Sequence, residues 1–309
     1  EGHVLIIVTS IYGLKSSGAR WHDRLADVMR DMGFSPCKAE PDIWMRECNA
    51  DGNVVSGGDT STNATSYASK GSDEGNSTDG HYYEYVAVYT DDLTIASKNP
   101  KDITGALEKV YKFKLKGTAP LNFLLGCDYY RDSHGVLCQQ PKKYIEKMEE
   151  THLRLFGTRP KHATSPLVKG DHPECDTSEF LDERGIKIYQ SMIGAAQWVI
   201  SLTRFDIAVH VMTLSSFRVQ PRQGHLDRIK RIYGYLSKMK HATIRIRTDM
   251  PDTSDFDFLV QDWSNSPYAD TREEFPKNLP LARGKPVLMT TFVDANLMHD
   301  VLSGKSVTG

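Results

Sequence analysis

Asp91 and Asp92 stand side by side between two apolar runs, Tyr82 to Tyr89 and Leu93 to Ser97. β-Branched and aromatic residues dominate both runs, which predicts two strands meeting at or near a tight turn that carries the two carboxylates. Turns expose side chains, so acids there can gather a divalent ion without the cost of burying unpaired charge. Mg²⁺ takes oxygen ligands and keeps several waters, so two or three carboxylates are enough to hold it. Such a site suits nucleotidyl transfer, in which two ions about 3.5–4 Å apart activate the attacking hydroxyl and stabilise the leaving pyrophosphate. The ordinary alternative is an Asp-Asp turn closing a plain hairpin, because Asp is a common turn residue. Taken alone the pair favours that alternative, and only its context reverses the balance.

The elements that would position the pair can be read from spacing. Val4 to Ile11 is strand-like. Trp21, Leu25, Val28, Met29 and Met32 fall on one face of a helix that Gly33 closes, with Trp21 a core anchor. Asp42 to Arg46 reads as a short strand, and Asn99-Pro100 opens a helix that turns Ile103, Leu107 and Val110 inward. Phe123 to Tyr130 and Val136 to Gln139 predict a hairpin turning at residues 132–135. Lys142 to Leu155 predicts a helix burying Tyr144, Ile145, Met148 and Leu153, and a polar connector, Gly157 to Gly185, follows it. Three helices come next, Tyr189 to Leu202, Phe205 to Phe217 and Arg222 to Met239, and then a strand from Val287 to Val293. Asn49 to Gly80 is Gly, Ser, Thr, Asn and Asp with almost nothing to bury, and Asp249 to Gly284 is a second polar stretch.

Composition bounds the partners. A chain of 309 residues can bury one or two cores. A net charge of −2 means that any nucleic-acid contact needs a local basic surface. Residues 228–247 contain no acid, and on the helix there Arg228, Arg231, Tyr235 and Lys238 recur on a face apart from the apolar stripe of Leu226, Ile229, Tyr233 and Leu236. A solvated charged face is the ordinary reading of such a pattern, and a phosphate-binding one the alternative. Five cysteines without close pairs read as free thiols of a reducing compartment. The run Val4 to Val8 is too short for a signal peptide or membrane span, so an intracellular protein without membrane contact is expected. The chain opens in an apolar run without Met and ends at Gly309 soon after a strand, which reads as a piece of something longer.

Tyr89-Thr90-Asp91-Asp92 resembles the Tyr-x-Asp-Asp box of reverse transcriptases, and several further blocks resemble copia-type retrotransposon Pol polyproteins in order and spacing. Tyr12 to Trp21 is similar to their Tyr-Gly-Leu-Lys-Gln-Ser-Pro-Arg-Ala-Trp segment, and Gly33-Phe34 and Ala39 to Asp42 continue the likeness. Phe123-Leu124-Leu125-Gly126 resembles the box that grips the primer, and Gln140 to Ile145 the start of the thumb helix. Tyr189 to Gly194, Thr203 to Ala208 and His225-Leu226 look like later blocks of the family. Val293-Asp294-Ala295 with Ser303 to Gly309 is similar to the opening of its ribonuclease H.

The resemblance implies an α+β fold: an incomplete polymerase palm of antiparallel sheet backed by helices over residues 1–138, with 49–80 a flexible insertion. A thumb helix over 139–165, a helical connection over 186–248 and the first strand of a ribonuclease H-like fold over 285–309 would follow. It implies RNA-directed DNA polymerisation on an RNA or DNA template-primer with deoxynucleoside triphosphates, inside a larger Pol polyprotein. Asp91 and Asp92 would be catalytic ligands of Mg²⁺, with Mn²⁺ as the alternative, and Asp294 a ligand of an incomplete ribonuclease H site. Tyr89, Gly13, Leu14, Lys15, Phe123, Leu124, Gly126, Arg228, Arg231 and Lys238 would contact primer, template or nucleotide. Lys116, where a polymerase can present a lysine to pyrophosphate, reads as a surface residue. Three departures stand out: Ser16 replaces Gln, Gly18 replaces Pro, and no Asp occurs among residues 1–12, where the family carries another catalytic one. The 309 residues by themselves are therefore expected not to polymerise DNA. A non-catalytic relic that binds nucleic acid or protein is the competing reading.

Overall fold

A computed structural model describes residues 16–55 and 80–247, and isolated positions from 249 to 308. It is mixed α+β, and the described residues form six helices, two four-stranded antiparallel sheets and one two-stranded pair. Contacts divide the chain into two compact units, residues 1–119 with 250–288, and residues 120–249 with 289–309.

In the first unit, helix α1 (Ser17–Asp31) ends as the sequence predicts. Gly33 takes φ +82°, its N–H reaches Arg30 O at 2.9 Å, and Phe34 N–H reaches Met29 O at 2.9 Å. This paired arrangement satisfies the last carbonyls and turns Phe34 into the core. Strands β1 (Ser35–Pro36), β2 (Ile43–Cys48), β3 (Tyr82–Tyr89) and β4 (Asp92–Ala96) follow in sheet order β1-β2-β3-β4. Helix α2 (Pro100–Lys109) and α1 supply the rest of the core: Leu25, Met29, Trp44, Val86, Ile103 and Leu107 are buried together, with Trp21 partly buried beside them. Val110, expected inside, is exposed, because α2 ends at Lys109 and only Ile103 and Leu107 share its inner face.

β3 alternates cleanly. Glu84, Val86 and Val88 point inward, while Tyr85 and Tyr89 face out. The inward Glu84 is a polar residue in an apolar position, and its partners explain it. Arg46 Nε donates to it at 2.7 Å, and Ser97 Oγ bonds its other oxygen. Arg46 also donates to Met32 O at 2.8 Å and lies over the Phe34 ring. Burial alone would raise the Glu84 carboxyl, but the Ser97 and Arg46 bonds outweigh it and hold it below its ordinary range. This pair ties the end of α1 to β2, β3 and the exit of β4.

The second unit begins with β5 (Phe123–Leu124), β6 (Cys127–Arg131) and β7 (Leu137–Gln140), to which β8 (Ile244–Ile246) adds antiparallel. The expected single strand from Phe123 to Tyr130 is two strands, because Leu125 (φ +51°) and Gly126 (φ +91°) form a turn between them. Helix α3 (Lys142–Phe156) buries Ile145 and Met148 as expected, but Glu149 and His152 complete its inner face and Leu153 is exposed. Glu149 is accommodated by Ser237 Oγ at 2.7 Å and Arg159 at 3.1 Å.

Helix α4 (Glu183–Ser201) starts six residues before the expected Tyr189, because Asp182 caps it by accepting from Gly185 N–H at 2.7 Å. A 3₁₀ turn (Phe205–Ile207), α5 (Ala208–Ser215) and α6 (Gln223–Lys238) complete the core around Tyr189, Ile193, Val199, Leu214, Ile229 and Ile232. Arg204 is buried at the head of that turn. It grips Asp206 with two hydrogen bonds and donates to Met239 O, the C-cap of α6. Strands β9 (Ala295–Asn296) and β10 (Val307–Thr308) pair antiparallel; the expected strand 287–293 lies outside the described residues. No helix among the described residues is long and apolar enough to cross a membrane.

Candidate active site

The adjacent carboxylates sit where two strands turn back on each other. Tyr89 pairs with Asp92 in the β3–β4 register, leaving Thr90 and Asp91 as a two-residue turn. Thr90 takes φ +55°, a left-handed conformation that a β-branched residue adopts only at a cost. Tyr89, Asp91 and Asp92 are all exposed. Neither carboxylate has a hydrogen-bond or ion-pair partner among the described residues.

Two free carboxylates at a turn are hard oxygen donors and fit part of a Mg²⁺ shell. A third ligand is not supplied close by: among the described residues, no cluster of three or more His, Cys, Asp or Glu could hold a metal ion. Gly13, Leu14 and Lys15 and the ribonuclease H candidate Asp294 lie outside the described residues. Lys116 is exposed.

Phe123, Leu124 and Gly126 lie on the β5–β6 turn of the second unit. Phe123 is exposed, with Lys143 Nζ 4.9 Å from its ring centre. Gly126 takes φ +91°, which favours glycine, and a Cβ there would press on Leu202 Cδ1 at 3.1 Å.

The basic face expected on the last helix takes a different form. Arg228 donates to both oxygens of Asp171, at 2.9 and 2.8 Å, and to Asp176, so its charge is consumed inside the unit. Burial alone would raise the Asp176 carboxyl, but bonds from Ser178 and Arg228 bring it down to about 2. Arg231 is half-buried and donates to Ser165 Oγ at 3.1 Å. Only Lys238, in the last turn of α6, is exposed. The stripe fails as a surface because α6 is packed on nearly all sides, which helical spacing by itself does not reveal. The acids that claim Arg228 come from the connector, 57 and 52 residues upstream, and no local signal joins them to it.

Comparison with known proteins gives relatives in one group. The chain is 24% identical over 240 residues, 77% of its length, to the putative transposon Ty5-1 protein of Saccharomyces cerevisiae, and spans 66% of that protein. It is 24% identical to the retrovirus-related Pol polyprotein from transposon RE1 of Arabidopsis thaliana and 23% identical to that from transposon TNT 1-94 of Nicotiana tabacum. Each match covers 74% of the chain and only 13% and 15%, respectively, of those polyproteins. No family model and no solved structure matches the chain.

Proposed function

From the chain's kinship with retrotransposon Pol polyproteins, we propose that it is the part of such a polyprotein that carries the end of the reverse transcriptase palm and the helical elements after it. The observation that carries this reading is the β3–β4 hairpin: two exposed carboxylates without a partner among the described residues, beside a strained turn and preceded by an outward-facing tyrosine. Asp91 and Asp92 would hold Mg²⁺ or Mn²⁺, and the bound ions would lower the barrier to phosphoryl transfer by charge stabilisation at the attacking and leaving oxygens. Tyr89 would pack against the primer end. Gly13, Leu14 and Lys15 would face template and nucleotide, and Phe123, Leu124 and Gly126 the primer strand. Asp294 would belong to a separate ribonuclease H site.

The sheet β5–β8 joins residues 123–140 to the later helices, so we draw the palm's end at residue 119 instead of 138. The thumb helix is α3 on this reading, and α4 to α6 the connection. Of the basic residues, Lys238 keeps a role in binding a template-primer, Arg231 a lesser one, and Arg228 a structural one. The rest of the polyprotein, a template-primer and deoxynucleoside triphosphates are the partners in this reading, and the setting is intracellular.

A second reading has support of its own. Ser16 and Gly18 depart from the family's pattern, and the described residues supply no third ligand beside the hairpin. A non-catalytic relic would have the same fold and the same relatives. Mn²⁺ titration monitored by amide line broadening separates the two. The polymerase reading expects selective broadening at residues 89–93, lost in Asp91→Ala and Asp92→Ala. Broadening that ignores both substitutions overturns it. Primer extension by the 309-residue chain on an RNA template should not exceed that of its Asp91→Ala variant, because two carboxylates alone do not fix two ions.

A further inference from the structure

We propose that the head of α6 and the connector 171–181 form an acid-released clasp, closed while the His225 ring is neutral and opened when that ring takes a second proton. His225 is 2% exposed, and its ring stacks on that of Phe217 with centres 4.2 Å apart. Its Nδ1 accepts the backbone N–H of Arg222 at 3.0 Å, and its Nε2 donates to Pro173 O at 2.9 Å. One nitrogen must be bare and the other protonated, so the closed clasp admits a single neutral tautomer. A second proton on Nδ1 would point at an N–H and break the cap of α6.

The remaining ties converge on the same helical turn. Gly224 N–H donates to Ser178 Oγ at 2.8 Å, Gln223 N–H to Glu179 O at 2.9 Å, and Leu181 N–H to Pro221 O at 3.0 Å. Arg222 reaches Ser178 O, and Arg228 holds Asp171 and Asp176. The charged groups that bear on the ring are Asp176, Arg228 and Arg222; His172 and Glu174, paired at 2.9 Å, flank Pro173 on the connector. The Asp176 charge, also held by Ser178 and Arg228, favours a protonated ring, while the Arg228 and Arg222 charges oppose it. Residues 168–171 also line two surface depressions of about 350 and 430 Å³, one against Val209 and Thr213 of α5 and one against Asp227 and Arg231 of α6.

Burial lowers the His225 pKa by more than the Pro173 bond and the Asp176 charge raise it. The open ring titrates near the ordinary histidine value of about 6.5. Closure is therefore fully favoured above that pH and is lost as pH falls from there toward the lower value of the closed ring. The closing constant drops by up to about tenfold per pH unit in that window. The Asp176 carboxyl, at about 2, stays ionised throughout.

Hydrogen exchange on the full chain, corrected for intrinsic rates, tests the clasp through the amides of Leu181, Arg222, Gln223 and Gly224. From about pH 7 to about pH 5 these four should lose protection together, approaching tenfold per unit below about 6.5, while Met192 and Ile193 in α4 keep theirs. His225→Gln, which can still accept and donate but does not titrate, should remove the pH step. Unchanged protection in the wild type, or the same step in the variant, overturns the proposal. If the variant loses protection at every pH, ring-nitrogen NMR of the wild type decides. Ring protonation coincident with amide opening supports the clasp, and protonation without opening refutes it.

Discussion

Two groups of aspartates, one in each unit, show opposite treatments of the same side chain. Asp171 and Asp176 lie mostly out of solvent and are bound by one guanidinium, with Ser178 adding hydrogen bonds to Asp176. Asp91 and Asp92 stand in solvent at a turn whose backbone is unfavourable for Thr90, and no cation of the described fold answers them. Stability accounts for the first arrangement entirely. In the second, like charges lie side by side and Thr90 keeps a left-handed backbone. Acids without a protein partner are open to an external ion, and the metal role proposed for the hairpin rests on this contrast.

The contrast can be broken at several points. Arg228→Met should have the largest effect, because it strands two poorly solvated carboxylates; a loss of about 3 kcal/mol in the urea unfolding of the second unit is expected. Gly224→Ala comes next, at about 2 kcal/mol, since a Cβ there would overlap the Asp176 carboxylate. Acidification acts on the same unit. His152 and His225 are both buried with lowered pKa values, chiefly through burial, so stability is complete above about pH 6.5 and falls below it. Each histidine contributes at most about 1.4 kcal/mol per pH unit, readable as a falling unfolding midpoint. In the first unit, Thr90→Gly should raise stability by about 1 kcal/mol by relieving the left-handed strain. The smallest effect is expected from Asp91→Asn and Asp92→Asn. Neither should lower the thermal midpoint measurably, whereas an equal substitution at Asp176 should. A marked loss at Asp91 would mean that its carboxylate is structural and that the contrast does not hold.

Much of the architecture was legible because it follows from local periodicity. The face of α1, its glycine stop, the hairpin around Asp91 and the three late helices each depend on residues within a turn or two of one another. Where structure and sequence pattern part, residue type alone misleads. Leu153 and Val110 are apolar, but Glu149 and His152 occupy the inner face of α3, and α2 ends before Val110. The break at Leu125-Gly126 rests on backbone angles that a run of apolar residues conceals. β8 has no sequence signal of its own, because three residues, Ile244–Ile246, become a strand only by pairing with β7.

By itself the sequence determined the resemblance to retrotransposon Pol polyproteins, the placement of Asp91 and Asp92 at a turn, and most helices, since these depend on residue order and on short-range sterics. Only the tertiary structure decided which charges are spent. Arg228 opens a stretch free of acids in the chain and is neutralised by acids more than fifty residues away, whereas Asp91 and Asp92 have no partner among the described residues. Electrostatic pairing acts through space and through the desolvation that packing imposes, and neither is written in the spacing of residues along the chain.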